Sequence, residues 1–180
     1  MPTLRKVLEP VFPEESFLDG LRLHKHGRRF SIKKSRSEQA VGIDLDKCGQ
    51  WLSGKKKGDG LFVCLPPDSK SFLVVIVELK GGHLERAIDQ LSDTTDVLCS
   101  GPDKPLPTHS ESVGNNLGES YKQGHTGRVL GVVVGRGGLP AEQFKKKMTR
   151  KRTGLKIAVR SARRVEVTFE DLARWFRSAS

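Results

Sequence analysis

A carboxylate and an ammonium two residues apart, Glu78 and Lys80, close the apolar run FLVVIVELK. Successive side chains on a strand alternate between faces, so residues at i and i+2 project together. Glu78 and Lys80 therefore continue the row of Val74 and Ile76, where charge is costly unless each group has a partner. Asp59 stands just ahead of the preceding apolar segment, LFVCL at 61–65. If the two segments pair about Pro66, Pro67, Asp68 and Ser69, Asp59 comes beside Glu78. Two adjacent carboxylates either share a proton or hold a cation, and a nearby lysine on a basic chain favours the cation. The two acids and the Leu79 carbonyl would offer hard oxygen ligands to Mg²⁺ or Mn²⁺. Such a metal polarises a phosphodiester, lowers the pKa of the attacking water and stabilises the leaving alkoxide. Lys80 would orient that water or offset charge on the pentacoordinate phosphorus.

The charge of the chain suits such a substrate. It carries 32 Lys and Arg against 21 Asp and Glu, a net +11. Residues 128–180 hold 14 of the basic and 4 of the acidic residues, so nearly all the excess lies in the last third. A basic segment attracts polyanions, nucleic acid first among them. The clusters Lys145, Lys146, Lys147 and Arg150, Lys151, Arg152, together with Arg160, Arg163 and Arg164, are read as phosphate contacts. Lys55, Lys56 and Lys57 precede Asp59 and would hold a backbone at the scissile position. No apolar run approaches a bilayer span, so no membrane partner is expected. No secretory signal is evident, and Cys48, Cys64 and Cys99 show no CxxC spacing. Reduced thiols in a cytoplasmic protein are expected.

The elements that must position these residues follow from periodicity. PEESFLDGLRL (13–23) has the spacing of a short helix; residues 28–46 stay ambiguous, with Ser35 or Ser37 able to cap a helical turn through Glu38 and GIDLD able to be strand or loop. LFVCL and FLVVIVEL (72–79) read as a hairpin whose second strand is apolar on both faces and therefore central. Residues 83–98 carry Leu84, Ala87, Ile88, Leu91 and Leu98 at helical spacing. Residues 100–127, rich in Gly, Ser, Asn and Pro, read as a long flexible loop. RVLGVVVG (128–135) is a further buried strand, Pro140 opens a short helix, LKIAVR and RVEVTF form a second hairpin, and a last helix spans 170–176. The expectation is one α/β domain over 1–180, a mixed central sheet flanked by helices around one core.

The order GDG (58–60), hairpin, VELKGG (77–82) and a helix containing AIDQL (87–91) resembles the PD-(D/E)XK nuclease superfamily. The resemblance covers roughly residues 59–91. It implies a restriction-endonuclease-like αβββαβ core, here with an extra C-terminal hairpin and helix, and Mg²⁺-dependent hydrolysis of DNA phosphodiesters. The family's acids fall on Asp59 and Glu78 and its lysine on Lys80. Gln90 falls where some branches place a glutamine facing the site. Many members add an acid from an upstream helix, for which Glu38 is the candidate. Gly58 departs from the motif by replacing its proline.

Blander readings stand beside these. Asp59 between two glycines suits a turn, Glu78 and Lys80 a strand-end ion pair, Gln90 a helix-surface amide, and the basic clusters a solvated face. None of the five histidines has convincing ligand spacing. The leading expectation is a DNA endonuclease, which with one site per chain would need a homodimer or two sequential nicks to cut both strands. The alternatives are a nucleic-acid-binding module with a nuclease-like fold that does not cleave, and an interaction protein with an acidic partner.

Overall fold

The structure, a computed structural model, describes residues 3–49, 57–65, 73–79, 83–99, 129–135 and 155–179. Lys55, Lys56, Lys80, the 100–127 segment, the helix expected from Pro140, and Lys145, Lys146, Lys147, Arg150, Lys151 and Arg152 lie outside these. The order of elements is α1 (Leu4–Leu8), β1 (Arg22–Lys25), β2 (Arg28–Lys33), β3 (Gln39–Asp44), β4 (Gly60–Leu65), β5 (Leu73–Leu79), α2 (Leu84–Cys99), β6 (Val129–Val134), β7 (Lys156–Arg160), β8 (Arg164–Thr168) and α3 (Phe169–Ser178). The chain is thus mixed α/β with two mixed sheets.

The larger sheet has the order β3-β4-β5-β6-β7. β3, β4 and β5 form an antiparallel meander, and β6 and β7 run parallel to β5. β5 is central because both of its faces are apolar. Val74 and Ile76 join Ala87, Ile88, Leu91 and Leu98 of α2 and Leu4 and Leu8 of α1 in one core. Val75, Val77 and Leu79 join a second core on the other face, with Leu23, Phe30, Ile32, Val165, Val167 and Leu172. The lining of this second core comes from the smaller sheet, ordered β1-β2-β8, and from α3. No described helix is long and apolar enough to cross a membrane. Cys48 and Cys64 are buried free thiols, and burial raises both above the ordinary thiol value.

The β4–β5 hairpin, the helix over 83–98, the strand at 128–135 and the last helix are present as expected. Three expectations are corrected and one ambiguity is resolved. The helix over 13–23 is a single 3-10 turn, Glu14–Ser16, followed by β1. Phe17 is bridged to Ile43 of β3 instead, and Gly20 sits at φ 73, which no helix continues through. The ambiguous stretch at 28–46 holds β2 and β3, so GIDLD is strand through Asp44 and enters a 3-10 turn at Leu45. LKIAVR and RVEVTF form no hairpin, since β7 pairs with β6 and β8 with β2 in the other sheet. Alternation explains β8: Val165 and Val167 are buried while Arg164, Glu166 and Thr168 face water, as a sheet covered on one side requires. The cores are accordingly two, one on each face of the larger sheet.

Candidate active site

Segment 57–59 enters β4 clamped from two sides. On the β5 side, the Asp59 amide donates to the Val77 carbonyl at 2.9 Å. The Asp59 Oδ2 in turn accepts the Leu79 amide at 2.6 Å. On the α2 side, Gln90 Nε2 donates to the Lys57 carbonyl at 2.7 Å. Thr94 Oγ1 accepts the Gly58 amide at 2.8 Å and donates to the Gln90 carbonyl at 2.7 Å. Proline at 58 would have no N–H for Thr94, and a side chain there would meet the Ile76 Cγ2 at 3.1 Å. Glycine rather than proline at 58 thus has a local cause. Thr94 is fully buried. Thr94→Val should therefore cost about 1–3 kcal/mol by orphaning the Gly58 amide, read as a lower urea midpoint with unchanged slope.

The register sets the two acids at one end of the hairpin. Gly60 pairs with Val77, so the next residues outward, Asp59 and Glu78, lie at the same end of neighbouring strands. Both are buried, Asp59 at 8% and Glu78 at 2% exposure. Gln90 Nε2 also reaches Glu78 Oε2, at 3.4 Å, so the helix amide ties one acid to the strand segment carrying the other. Burial pushes the Asp59 carboxyl above its ordinary value, opposed by the Leu79 N–H and by the charges of Lys25 and His26. Leu79, expected to offer its carbonyl, is seen here to engage Asp59 through its amide.

Three residues that sequence reasoning missed border Asp59. Lys25 Nζ lies 2.6 Å from Asp44 Oδ1, 2.5 Å from Asp46 Oδ2 and 3.1 Å from the Asp59 carbonyl oxygen. The two partners hold the Lys25 ammonium above its ordinary value despite the opposing effect of burial, the largest single influence on it. Lys57 leans on Asp46 as well, its Nζ 3.6 Å from Asp46 Oδ1. GIDLD, with two aspartates flanking an apolar residue at a strand end, was the available signal for Asp44 and Asp46; Lys25 had none. Among the described residues no group of three or more His, Cys, Asp or Glu is arranged to hold a metal ion.

Glu38 is removed from the site. Its carboxylate accepts the Ser35 amide at 2.6 Å, closing the turn between β2 and β3. Gln39 pairs with Leu65 and Asp44 with Gly60, so Glu38 adjoins the end of the β3–β4 pair remote from Asp59. Five residues of strand, about 17 Å, separate the two ends. No protein-family model, curated protein or solved structure matches the chain.

Proposed function

We propose that the chain is a divalent-metal-dependent DNA endonuclease of restriction-endonuclease-like architecture, acting at Asp59, Glu78 and Lys80. The observation that carries this reading is the burial of two carboxylates at the same end of β4 and β5. A buried carboxylate is costly to ionise unless opposite charge or hydrogen bonds offset the burial, and a bound cation would supply that charge to both. Hard carboxylate oxygens suit Mg²⁺ or Mn²⁺, with Asp59, Glu78 and the Leu79 carbonyl as the residues that would hold it. The β3-β4-β5 meander, α2 and a parallel β6 follow the strand and helix order that the resemblance implies for its core.

When bound, the ion supplies Lewis-acid polarisation of the phosphodiester and a water of lowered pKa. The protein's own groups do the rest. The Leu79 amide fixes one Asp59 oxygen, leaving the other for a ligand. Gln90 bridges Glu78 and the Lys57 carbonyl, which fixes helix and strand relative to each other. Lys25 brings positive charge to the Asp59 backbone and lowers the cost of ionising its carboxyl. Lys80 is assigned the orientation of the attacking water.

Supercoiled plasmid incubated with Mg²⁺ tests the proposal. The wild-type chain should nick or linearise it and stop when EDTA is added. Glu78→Ala and Lys80→Ala should fall to background. Equal cleavage by all three proteins, or none by the wild type, would sink the assignment.

A further inference from the structure

The outer face of the smaller sheet carries a charge pattern that the candidate site does not use. Side chains that alternate away from the second core fall into rows across β1, β2 and β8. One row is His24, Arg29 and Arg164; the next is Arg22, Ser31 and Glu166; the last is Lys33 and Thr168. Arg22, His24, Lys33, Arg164 and Glu166 are exposed and Arg29 is half-buried. Four permanent cations thus share this face with one acid.

That acid is already answered. Glu166 Oε1 lies 2.8 Å from Lys33 Nζ. Its carboxyl is held below the ordinary value by the Lys33 hydrogen bond first, with Arg29 and Arg22 adding to the effect. Arg29 and Arg164 are direct cross-strand partners, and like charges so opposed destabilise a sheet. A face kept only for solubility would mix its signs. A row of opposed arginines is instead what a polyanion neutralises.

The position of the face matters as much as its charge. β1 and β2 are joined by a two-residue turn, His26 at φ 51 and Gly27 at φ 67, a conformation whose twist suits a tight hairpin. That turn follows Lys25, which contacts the Asp59 carbonyl oxygen. The row of His24, Arg29 and Arg164 is the one nearest the turn, so the cations lead outward from the border of the site. The three rows extend about 13 Å along the strands. Phosphates of one duplex strand advance about 3.4 Å each along the axis, so the rows match roughly four of them.

We infer that the outer face of the β1-β2-β8 sheet, with Arg22, Arg29, Lys33 and Arg164 as phosphate contacts, is the surface along which duplex nucleic acid lies as it enters the Asp59–Glu78 site. The inference rests on the nucleic-acid reading of that site and does not depend on cleavage. Sequence reading grouped Arg164 with the basic clusters at 145–152; the fold sets it beside Arg29, far away in the chain.

Fluorescence anisotropy with a labelled DNA duplex, in EDTA so that nothing is cut, tests it. Arg22→Ser/Arg164→Ser should weaken binding about tenfold at ~100 mM salt and reduce the slope of log K against log[salt] by about 1.8, the release of two phosphate contacts. Arg5→Ser/Lys6→Ser removes equal charge from α1, which packs on the opposite face of the larger sheet, and should change binding less than about twofold. Glu166→Gln should tighten binding by about threefold, a gain that misfolding cannot produce. Equal losses in the two double variants, no loss in either, or loss of binding to polyglutamate alone would overturn the inference, the last in favour of an acidic protein partner. A chain that binds through this face but leaves plasmid intact keeps the inference and removes the nuclease proposal. Plasmid cleavage with unaltered binding by Arg22→Ser/Arg164→Ser does the reverse.

Discussion

Asp59→Asn should leave the protein better folded than the wild type at pH 7 and, on the proposed nuclease reading, at least about 10²-fold slower in plasmid cleavage, the scale on which removing one preorganised electrostatic group slows an enzyme. The stability half follows from burial. The Asp59 carboxyl is raised above its ordinary value of 3.8 because burial disfavours its charged form. A group raised in this way contributes stability that is fully present below the ordinary value and lost as pH rises through the folded one. At neutral pH the ionised carboxylate is therefore a cost, and asparagine removes it. Its amide oxygen can still accept the Leu79 N–H that Asp59 accepts at 2.6 Å. Urea midpoints should coincide near pH 4 (about the ordinary aspartate value) and separate in favour of the variant toward pH 7. Saturating Mg²⁺ should narrow that gap, because an ion bound only by the folded wild type stabilises it, by about 2.7 kcal/mol at a hundredfold excess over Kd. A variant less stable than wild type at pH 7 would make Asp59 a structural cap for β5, the bland reading of that residue.

Leu91→Ala should cost about 2–5 kcal/mol, a large share of the roughly 5–15 kcal/mol that holds a domain folded. Leu91 is fully buried on α2, where the helix lies on β5 and β6. It is seated on Gly131: a Cβ added there would come within 2.9 Å of Leu91 Cδ1 and 3.2 Å of Ile157 Cγ1. Gly131→Ala alone should therefore overpack the contact, at about 1–3 kcal/mol. Combined with Leu91→Ala, the added methyl occupies part of the void, and the double variant should be more stable than the sum of the two losses implies. Strict additivity in urea denaturation would show that Leu91 and Gly131 do not share the contact. The helix so seated also carries Gln90 and Thr94, whose bonds to Lys57, Gly58 and Glu78 hold the entrance to β4. Loosening Leu91 is thus expected to slow cleavage as well as lower stability, whereas a cavity made elsewhere in that core should lower stability alone.

How far the chain could be read depended on whether the determining interactions were local. The FLVVIVEL run is apolar on both faces, and a strand of that kind can satisfy itself only in the middle of a sheet, which is where β5 lies. The i, i+2 rule and the turn residues after LFVCL were enough to place Asp59 and Glu78 at one end of the hairpin, whereas Gln90 was placed beside them only by the family resemblance. These signals act over a few residues, so composition and spacing carry them. The rest turned on distant partners. PEESFLDGLRL has a helical spacing, yet Phe17 bridges to Ile43 of β3, a partner distant in the chain. LKIAVR and RVEVTF look like a hairpin, but β6 and β2 offered each a parallel neighbour. Glu38 is five residues of strand from the acids because β3 runs antiparallel to β4, a matter of register that no local pattern records. The ELK strand end therefore announced a candidate site by itself. Its setting was decided by pairing across long stretches of chain: Lys25 and Asp44 brought beside Asp59, and Arg29 brought beside Arg164.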